Sequence, residues 1–201
     1  MTALDSRAPT HAIEPLFASR WSTKAYSGEA IEDEVLFKSF EAARWAPSGG
    51  NGQPWRFIYA KRDSAAWPQF FALLNERNQV WAANASALVV LLSKKIRQTL
   101  EGPRPSRSHS FDAGAAWSNF AHQTHVSGFS ARAIGGFDRP AARDSLSIPE
   151  DFEIEVFIAI GKPADKPVLP EPLQSANQPS NRLPLTELIN DGGFALAWTA
   201  A

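Results

Sequence analysis

The sequence predicts an α+β domain in which a mixed central β-sheet is flanked by helices. Three observations carry this. Hydrophobic residues are 44% and charged residues 20% of 201, enough apolar side chains for one core and too few charges for a disordered chain. Residues 87–92 form an uninterrupted apolar run, and residues 152–160 alternate Phe152, Ile154, Val156, Ile158 and Ile160, both patterns of strands. Segments with helical spacing lie before and between them. The expectation is one domain over residues 1–201.

Taken in order, residues 9–19 place Ile13, Leu16 and Phe17 at helical spacing and predict a short helix. Residues 31–46 predict a stronger one. Glu29, Glu32, Asp33 and Glu34 gather at its start, where the helix dipole favours carboxylates, and Val35, Leu36, Phe40, Ala43 and Trp45 form its apolar face. The breakers Pro47-Ser48-Gly49-Gly50 end it. Residues 55–59 read as a strand, 65–75 as a helix and 87–92 as a strand covered on both faces. Residues 97–110 contain Pro103 and Pro105 without apolar periodicity and are expected to be a loop. Residues 111–129, rich in Ala and closed by Gly128, predict the longest helix. After the strand at 152–160, Pro163, Pro167, Pro170, Pro172, Pro179 and Pro184 exclude regular helix. That tail, about residues 162–201, is either disordered or an extended arm on another surface. The apolar cluster Leu185-Thr186-Glu187-Leu188-Ile189 favours the arm, because it calls for burial.

The net charge is −1, which argues against a protein built to neutralise nucleic-acid phosphates. The absence of cysteine rules out a disulfide scaffold, a cysteine nucleophile, an iron–sulfur cluster and a thiolate zinc site. Residues 1–10 have no apolar signal core, and the longest apolar stretch, 80–92, is too short for a bilayer. A soluble, cytoplasmic protein without membrane or nucleic-acid partners is expected. Gly161-Lys162-Pro163 is no phosphate-binding loop, and Gly50-Asn51-Gly52-Gln53 follows a helix where a dinucleotide fingerprint follows a strand. Gly128-Phe129-Ser130-Ala131-Arg132 lacks the second glycine of a nucleophile elbow. His122 and His125 share a helix face but have no neighbouring carboxylate, so they read as a surface or interface pair and no metal is expected. Lys94-Lys95-Ile96-Arg97, with Arg104 and Arg107, reads as a solvated strand end and loop.

Three segments carry binding chemistry. In Arg20-Trp21-Ser22-Thr23-Lys24, an extended backbone projects Arg20, Ser22 and Lys24 together, a strip of donors for an anionic, polyhydroxy ligand. In residues 46–57, Gly49, Gly50 and Gly52 allow close backbone approach to a flat ligand, while Ser48 and Asn51 add hydrogen-bonding groups between Pro47 and Pro54. In Ala133-Ile134-Gly135-Gly136-Phe137-Asp138, paired glycines permit amide contact with a ring system. Each alone is equally a solvated loop, a helix-to-strand connection or a helix–helix turn.

Together, and in this order, they resemble the FMN-dependent nitroreductase family. Arg20, Ser22 and Lys24 match its Arg-x-Ser-x-Arg/Lys segment, and residues 46–55 match its Ala-Pro-Ser-x-x-Asn-x-Gln-Pro-Trp segment intact. Asn75-Glu76-Arg77, Gly136-Phe137-Asp138 and Asn181-Arg182-Leu183-Pro184 resemble further family segments, so the likeness spans about residues 13–188. The resemblance implies a nitroreductase-like fold and a homodimer, with FMN in two sites at the subunit interface and the C-terminal arm swapped onto the partner subunit. It implies that Arg20 and Arg182 bind the FMN phosphate, that Ser22 holds the phosphate or ribityl end, and that Lys24 sits near the N1/O2 edge of the flavin. Asn75 is expected on the pyrimidine edge, and Pro47, Ser48, Gly49 and Asn51 reach the cofactor from the other subunit. Ile134, Gly135 and Gly136 line the ring, and Trp21 belongs to the same site. NAD(P)H is the implied hydride donor, and nitroaromatics, quinones or a related small electrophile the acceptors, in ping-pong order with no catalytic side chain required. Flavin binding or sensing without turnover, and reductive dehalogenation or flavin fragmentation on the same scaffold, are the alternatives. The chain departs from the pattern at Trp21, where many relatives have Arg or His, at Gly135, where some have Glu, and at Ser180, where some have Lys. The short stretch between Lys95 and Phe111 implies a more open pocket than substrate-covering helices would leave.

Overall fold

The computed structural model describes residues 7–194. Its centre is a four-stranded sheet of β1 (Trp55–Lys61), β2 (Ala87–Lys94), β6 (Phe152–Gly161) and β5 (Ser130–Ile134), in the order β1-β2-β6-β5. All its described strand pairs are antiparallel, so the expected mixed sheet is not found among them. The expected α+β class, a sheet flanked by helices, is what the chain forms.

β2 explains why an antiparallel strand reads as an unbroken apolar run. Its odd and even residues serve two separate cores. Leu88, Val90 and Leu92 face a cluster with Tyr26, Leu74, Trp81, Ile154 and Phe157, covered by α3 (Trp67–Ala72), α4 (Glu76–Ala82) and α6 (Arg139–Ser145). Ala87, Val89 and Leu91 face α2 (Asp33–Arg44) and α5 (His109–Val126) through Leu36, Ala43, Ala113, Ala116 and Phe120. Small residues on α5 let it lie close to the sheet, and Phe120 packs on the rings of Phe40 and Phe57. Polar groups in this layer are paired: buried Thr124 donates to buried Ser39 at 3.0 Å, and half-buried Asn119 to the Ala42 carbonyl at 3.1 Å. On the opposite face, Gly161 is required by Tyr26, since a Cβ there would stand 2.5 Å from Tyr26 Cδ1.

Several elements differ from the sequence expectation. The first helix, α1 (Pro15–Ser19), is confined to five residues and opens on a proline. The helix expected at 65–75 is the shorter α3, and a second helix, α4, follows it unexpected. Asn75 caps the second by accepting the Asn78 N–H at 3.0 Å. The expected loop at 97–110 contains a hairpin of β3 (Ile96–Thr99) and β4 (Gly102–Pro105), followed by the start of α5. β5 and α6 were not expected, so residues 133–138 join a strand to a helix rather than two helices.

The proline-rich tail begins on its own chain. Pro163 bridges to Tyr26, a short α7 (Glu171–Gln174) follows, and buried Asn177 is locked against Thr23 and Lys24. The stretch free to reach elsewhere therefore starts after Asn177, not at 162. Leu183, Leu185, Leu188 and Ile189 stay exposed. The last part of the expected arm, 195–201, lies outside the described residues, as does the expectation for residues 1–6. No described helix is long and apolar enough to cross a membrane.

Candidate functional site

The Arg20–Lys24 strip leaves α1 in extended conformation and runs beside the edge strand β5. Ser130 donates to the Trp21 carbonyl at 3.2 Å and Arg132 to the Ser22 carbonyl. Alternate residues separate as expected: Thr23 and Ala25 are buried, while Ser22 and Lys24 are partly exposed. The Thr23 hydroxyl and the Lys24 N–H both donate to Asn177 Oδ1, at 3.3 and 2.8 Å. Arg20 donates to Ser22 Oγ at 3.3 Å, which places both on one side. That side is a cleft of about 370 Å³ lined by Phe17, Arg20, Ser22, Trp117, His122 and Arg132, among others. Trp21 is partly buried but is not among the residues lining it.

Charge distinguishes this region. Arg7, Arg20, Lys24, Arg77, Arg132 and Arg182 form no ion pair with any described residue; the same holds for Arg56, Arg62, Lys95, Arg97, Arg107, Lys162 and Lys166, but the first six act on one another. Burial lowers the pKa of Lys24, and Arg132 and Arg77 lower it further. Burial likewise lowers that of Arg20, with Arg7 and then Arg182 adding to the effect. Like charges that repel without a protein counter-charge form a site prepared for an anion. His125 feels the same field: burial first, then Arg20 and His122, depress its pKa, while its Nε2 meets Ser19 Oγ at 3.0 Å.

Asn75 and the paired glycines come together. The Asn75 N–H donates to the Gly136 carbonyl at 3.2 Å, and Asn78 Nδ2 donates to it at 3.0 Å. A Cβ on Gly136 would overlap Asn75 Nδ2 and stand 2.8 Å from Asn78 Nδ2, so a side chain there would displace both amides. Gly135 has open space around it, and Ile134 is buried at the end of β5. Arg77 of this segment acts electrostatically on Lys24, which links it to the strip.

The Pro47–Asn51 segment lies elsewhere. Its tight turn, Gly49–Asn51, has Gly50, Asn51 and Gln53 in the left-handed region at φ 57°, 53° and 44°. Two non-glycine residues there in one loop store strain. The shape is held by Ser48 Oγ, which accepts the Gln53 N–H at 3.0 Å, and by Gln53 Nε2, which donates to Asn51 Oδ1 at 3.0 Å. Buried Asp112 staples the turn to α5, accepting from the Gly49 N–H at 3.3 Å and from Ser108 at 3.0 Å. The loop opens on a separate cleft of about 350 Å³, with Arg56, Lys94, Ile96 and Arg97 on its walls. The two clefts share no lining residue. Both are attached to α5, at Asp112 and at Ala121, nine residues and roughly 14 Å apart along the axis.

Within one chain, then, Arg20, Ser22 and Lys24 run beside β5, Gly135 and Gly136 follow its far end at Ile134, where Gly136 meets Asn75, and Arg182 is coupled to Arg20 by charge, while Pro47, Ser48, Gly49 and Asn51 stand apart. Sequence reasoning missed Arg7, Arg132 and Asp112 and gave Arg77 no role. A convergence of unpaired cations has no local signature.

Comparison with known proteins points to one family. A family model described as Nitroreductase family matches residues 17–80. A protein of Archaeoglobus fulgidus, named provisionally as an NADH dehydrogenase/NAD(P)H nitroreductase, is 30% identical over 152 residues, covering 74% of this chain and 83% of its own. A solved structure described as an oxidoreductase containing FMN is 43% identical with a TM-score of 0.91, covering 94% of this chain and 96% of that one. A provisionally named nitroreductase from Desulfovibrio desulfuricans, in complex with FMN, is 26% identical with a TM-score of 0.72, covering 92% of this chain and all (100%) of that one.

Proposed function

The chain belongs to the nitroreductase family of oxidoreductases, and from that premise we propose that it binds FMN and uses NAD(P)H to reduce a nitroaromatic, a quinone or a related small electrophile. The observation that carries this is the set of six cations on and around the Arg20–Lys24 strip, none ion-paired within the described residues, with the turn at Gly135 and Gly136 beside it. The residues present fit the cofactor. A terminal phosphate suits Arg20, Ser22 and Arg182, and a planar ring suits the open backbone at Gly135. When bound, FMN supplies hydride acceptance from the nicotinamide donor and onward reduction of the acceptor in alternating, ping-pong half-reactions.

The protein's part is binding and electrostatics. Arg20 and Ser22 anchor the phosphate end. Lys24, with Arg132 and Arg77 behind it, places fixed positive charge where negative charge develops on reduction, and a preorganised charge needs no reorganisation during the reaction. Asn75 and the Gly136 backbone orient the ring edge. No proton-transferring side chain is assigned.

The Pro47–Asn51 loop completes the site from a second copy of the chain, in a homodimer embraced by the arms. Exposed Phe17, Phe37, Trp45, Phe111 and Val126 on or beside α1, α2 and α5 support this, since such a set of large apolar groups suits an interface. An anaerobic visible spectrum tests the activity. Oxidised-flavin absorbance that bleaches with NADPH or NADH and returns with a nitroarene or quinone supports it. A bound flavin that no nicotinamide donor bleaches contradicts turnover and favours a binding or sensing role.

A further inference from the structure

Arg7 lies outside the segments that resemble the family, in the stretch before α1. Its guanidinium nonetheless turns toward the strip, with Nη1 and Nη2 donating to the Arg20 carbonyl at 3.3 and 3.4 Å. The C-terminal arm reaches the same place. Asn177 is tied to Thr23 and Lys24, and Thr10 and His11 face residues 184–191 across one cleft. Both terminal stretches therefore meet beside the strip, and each brings an arginine. After burial, Arg182 is the charge that most lowers the pKa of Arg7, and Arg7 and Arg182 both lower that of Arg20. None of the three has a carboxylate partner among the described residues. Three like charges at the junction of two chain ends weaken that junction unless an anion joins them.

We propose that Arg7 is a third phosphate-binding guanidinium, so that the N-terminal segment, the end of α1 and the C-terminal arm close together on one terminal phosphomonoester. This rests on the reading that the protein binds FMN. A phosphomonoester near neutral pH carries about −1.5 to −2 charges and three terminal oxygens. Planar guanidinium forks match those oxygens. The flavin adenine dinucleotide, whose two phosphates are each esterified once and joined to each other as an anhydride, has no such terminus. The site accordingly selects FMN over riboflavin and over the dinucleotide, and its occupation orders both chain ends.

The test compares Arg7→Gln and Arg7→Lys with wild type by flavin fluorescence titration, using FMN and riboflavin as probes. Arg7→Gln is expected to weaken FMN roughly ten- to a hundredfold, the range for a charge-assisted contact, and to leave riboflavin within about twofold. Arg7→Lys recovers part of the loss, and the salt dependence of FMN binding becomes shallower in Arg7→Gln. Amide exchange in residues 7–20 and 177–190 slows with FMN in wild type, and slows less in Arg7→Gln. Equal losses for FMN and riboflavin overturn the proposal, because Arg7 then only holds the strip. No further loss when Arg7→Gln is added to Arg20→Ala also overturns it, because Arg7 then acts only through Arg20. Wild type that binds neither flavin sinks the FMN reading and this proposal together; wild type that binds FMN while Arg7→Gln is indifferent sinks the proposal alone.

Discussion

The two clefts attached to α5 are built in opposite ways. Around Arg20 the chain uses side-chain charge, with six cations that no described carboxylate neutralises and a backbone that is conventionally extended. Around Asn51 it uses backbone shape, with two non-glycine residues held at positive φ and an aspartate stapling the turn to the helix. The difference teaches that one region recognises charge and the other fits a surface. The loop cleft has cations on its walls too, Arg56, Lys94 and Arg97, but the strained turn is its alone. A flavin phosphate with a planar ring needs both, which is why the two regions are read as halves of one site shared between two copies.

The comparison can be broken most sharply on the charged side. Arg20→Ala is expected to weaken FMN retention roughly a hundredfold or more, with the fold and assembly intact, because it removes a charged donor from a site built on charge. Ultrafiltration of loaded protein measures it, and unchanged retention refutes the phosphate assignment. Gly136→Ala is expected to destabilise the chain by roughly 1–3 kcal/mol, since the added Cβ overlaps Asn75. Gly135→Ala, with open space, should be nearly neutral. Denaturant midpoints separate the two, and equal costs would show that the turn is not set by Asn75. On the loop side, Asp112→Ala leaves the Gly49 N–H and Ser108 without their acceptor and is expected to cost about 1–2 kcal/mol. Flavin affinity should fall less than in Arg20→Ala, because shape relaxes where charge cannot be replaced.

The smallest expected effect is a pH dependence. In the folded chain, burial and neighbouring cations hold the His125 pKa below its ordinary 6.5. The unfolded chain therefore binds the extra proton first, and stability drops as pH falls below about 6.5 toward the folded pKa. Thermal melts of wild type should show a steeper acid loss than His125→Gln. Identical slopes would mean that the cationic field does not reach His125.

Much of the fold was legible because burial writes itself into the sequence. β2 and β6 are covered on both faces, and α5 has the small residues that a close helix-on-sheet contact needs. β5 was not legible. Ala131, Arg132 and Ala133 have little strand character, and pairing with β6 makes them a strand. The hairpin was hidden by Pro103 and Pro105, which a two-stranded ribbon tolerates because one side of each strand needs no ladder hydrogen bond. The helix α4, which follows the one expected at 65–75, was not legible; its start is marked by one side chain, the Asn75 cap. In the candidate site, the strip, the loop and the glycine pair stood out as motifs. Arg7 and Arg132 did not, since their importance comes from neighbours that only the folded chain assembles.

The central claim, that the two clefts complete each other between copies, is tested by mixing two damaged chains. Arg20→Ala breaks the charged half and Asn51→Ala the loop half. Unfolded together and refolded, they form mixed dimers in which one site joins the two intact halves. The account predicts that tight FMN binding returns to roughly a quarter of all sites, although neither variant alone retains the cofactor. No recovery in dimers shown to be mixed would mean that each chain builds its site alone, and the shared-site account would be wrong.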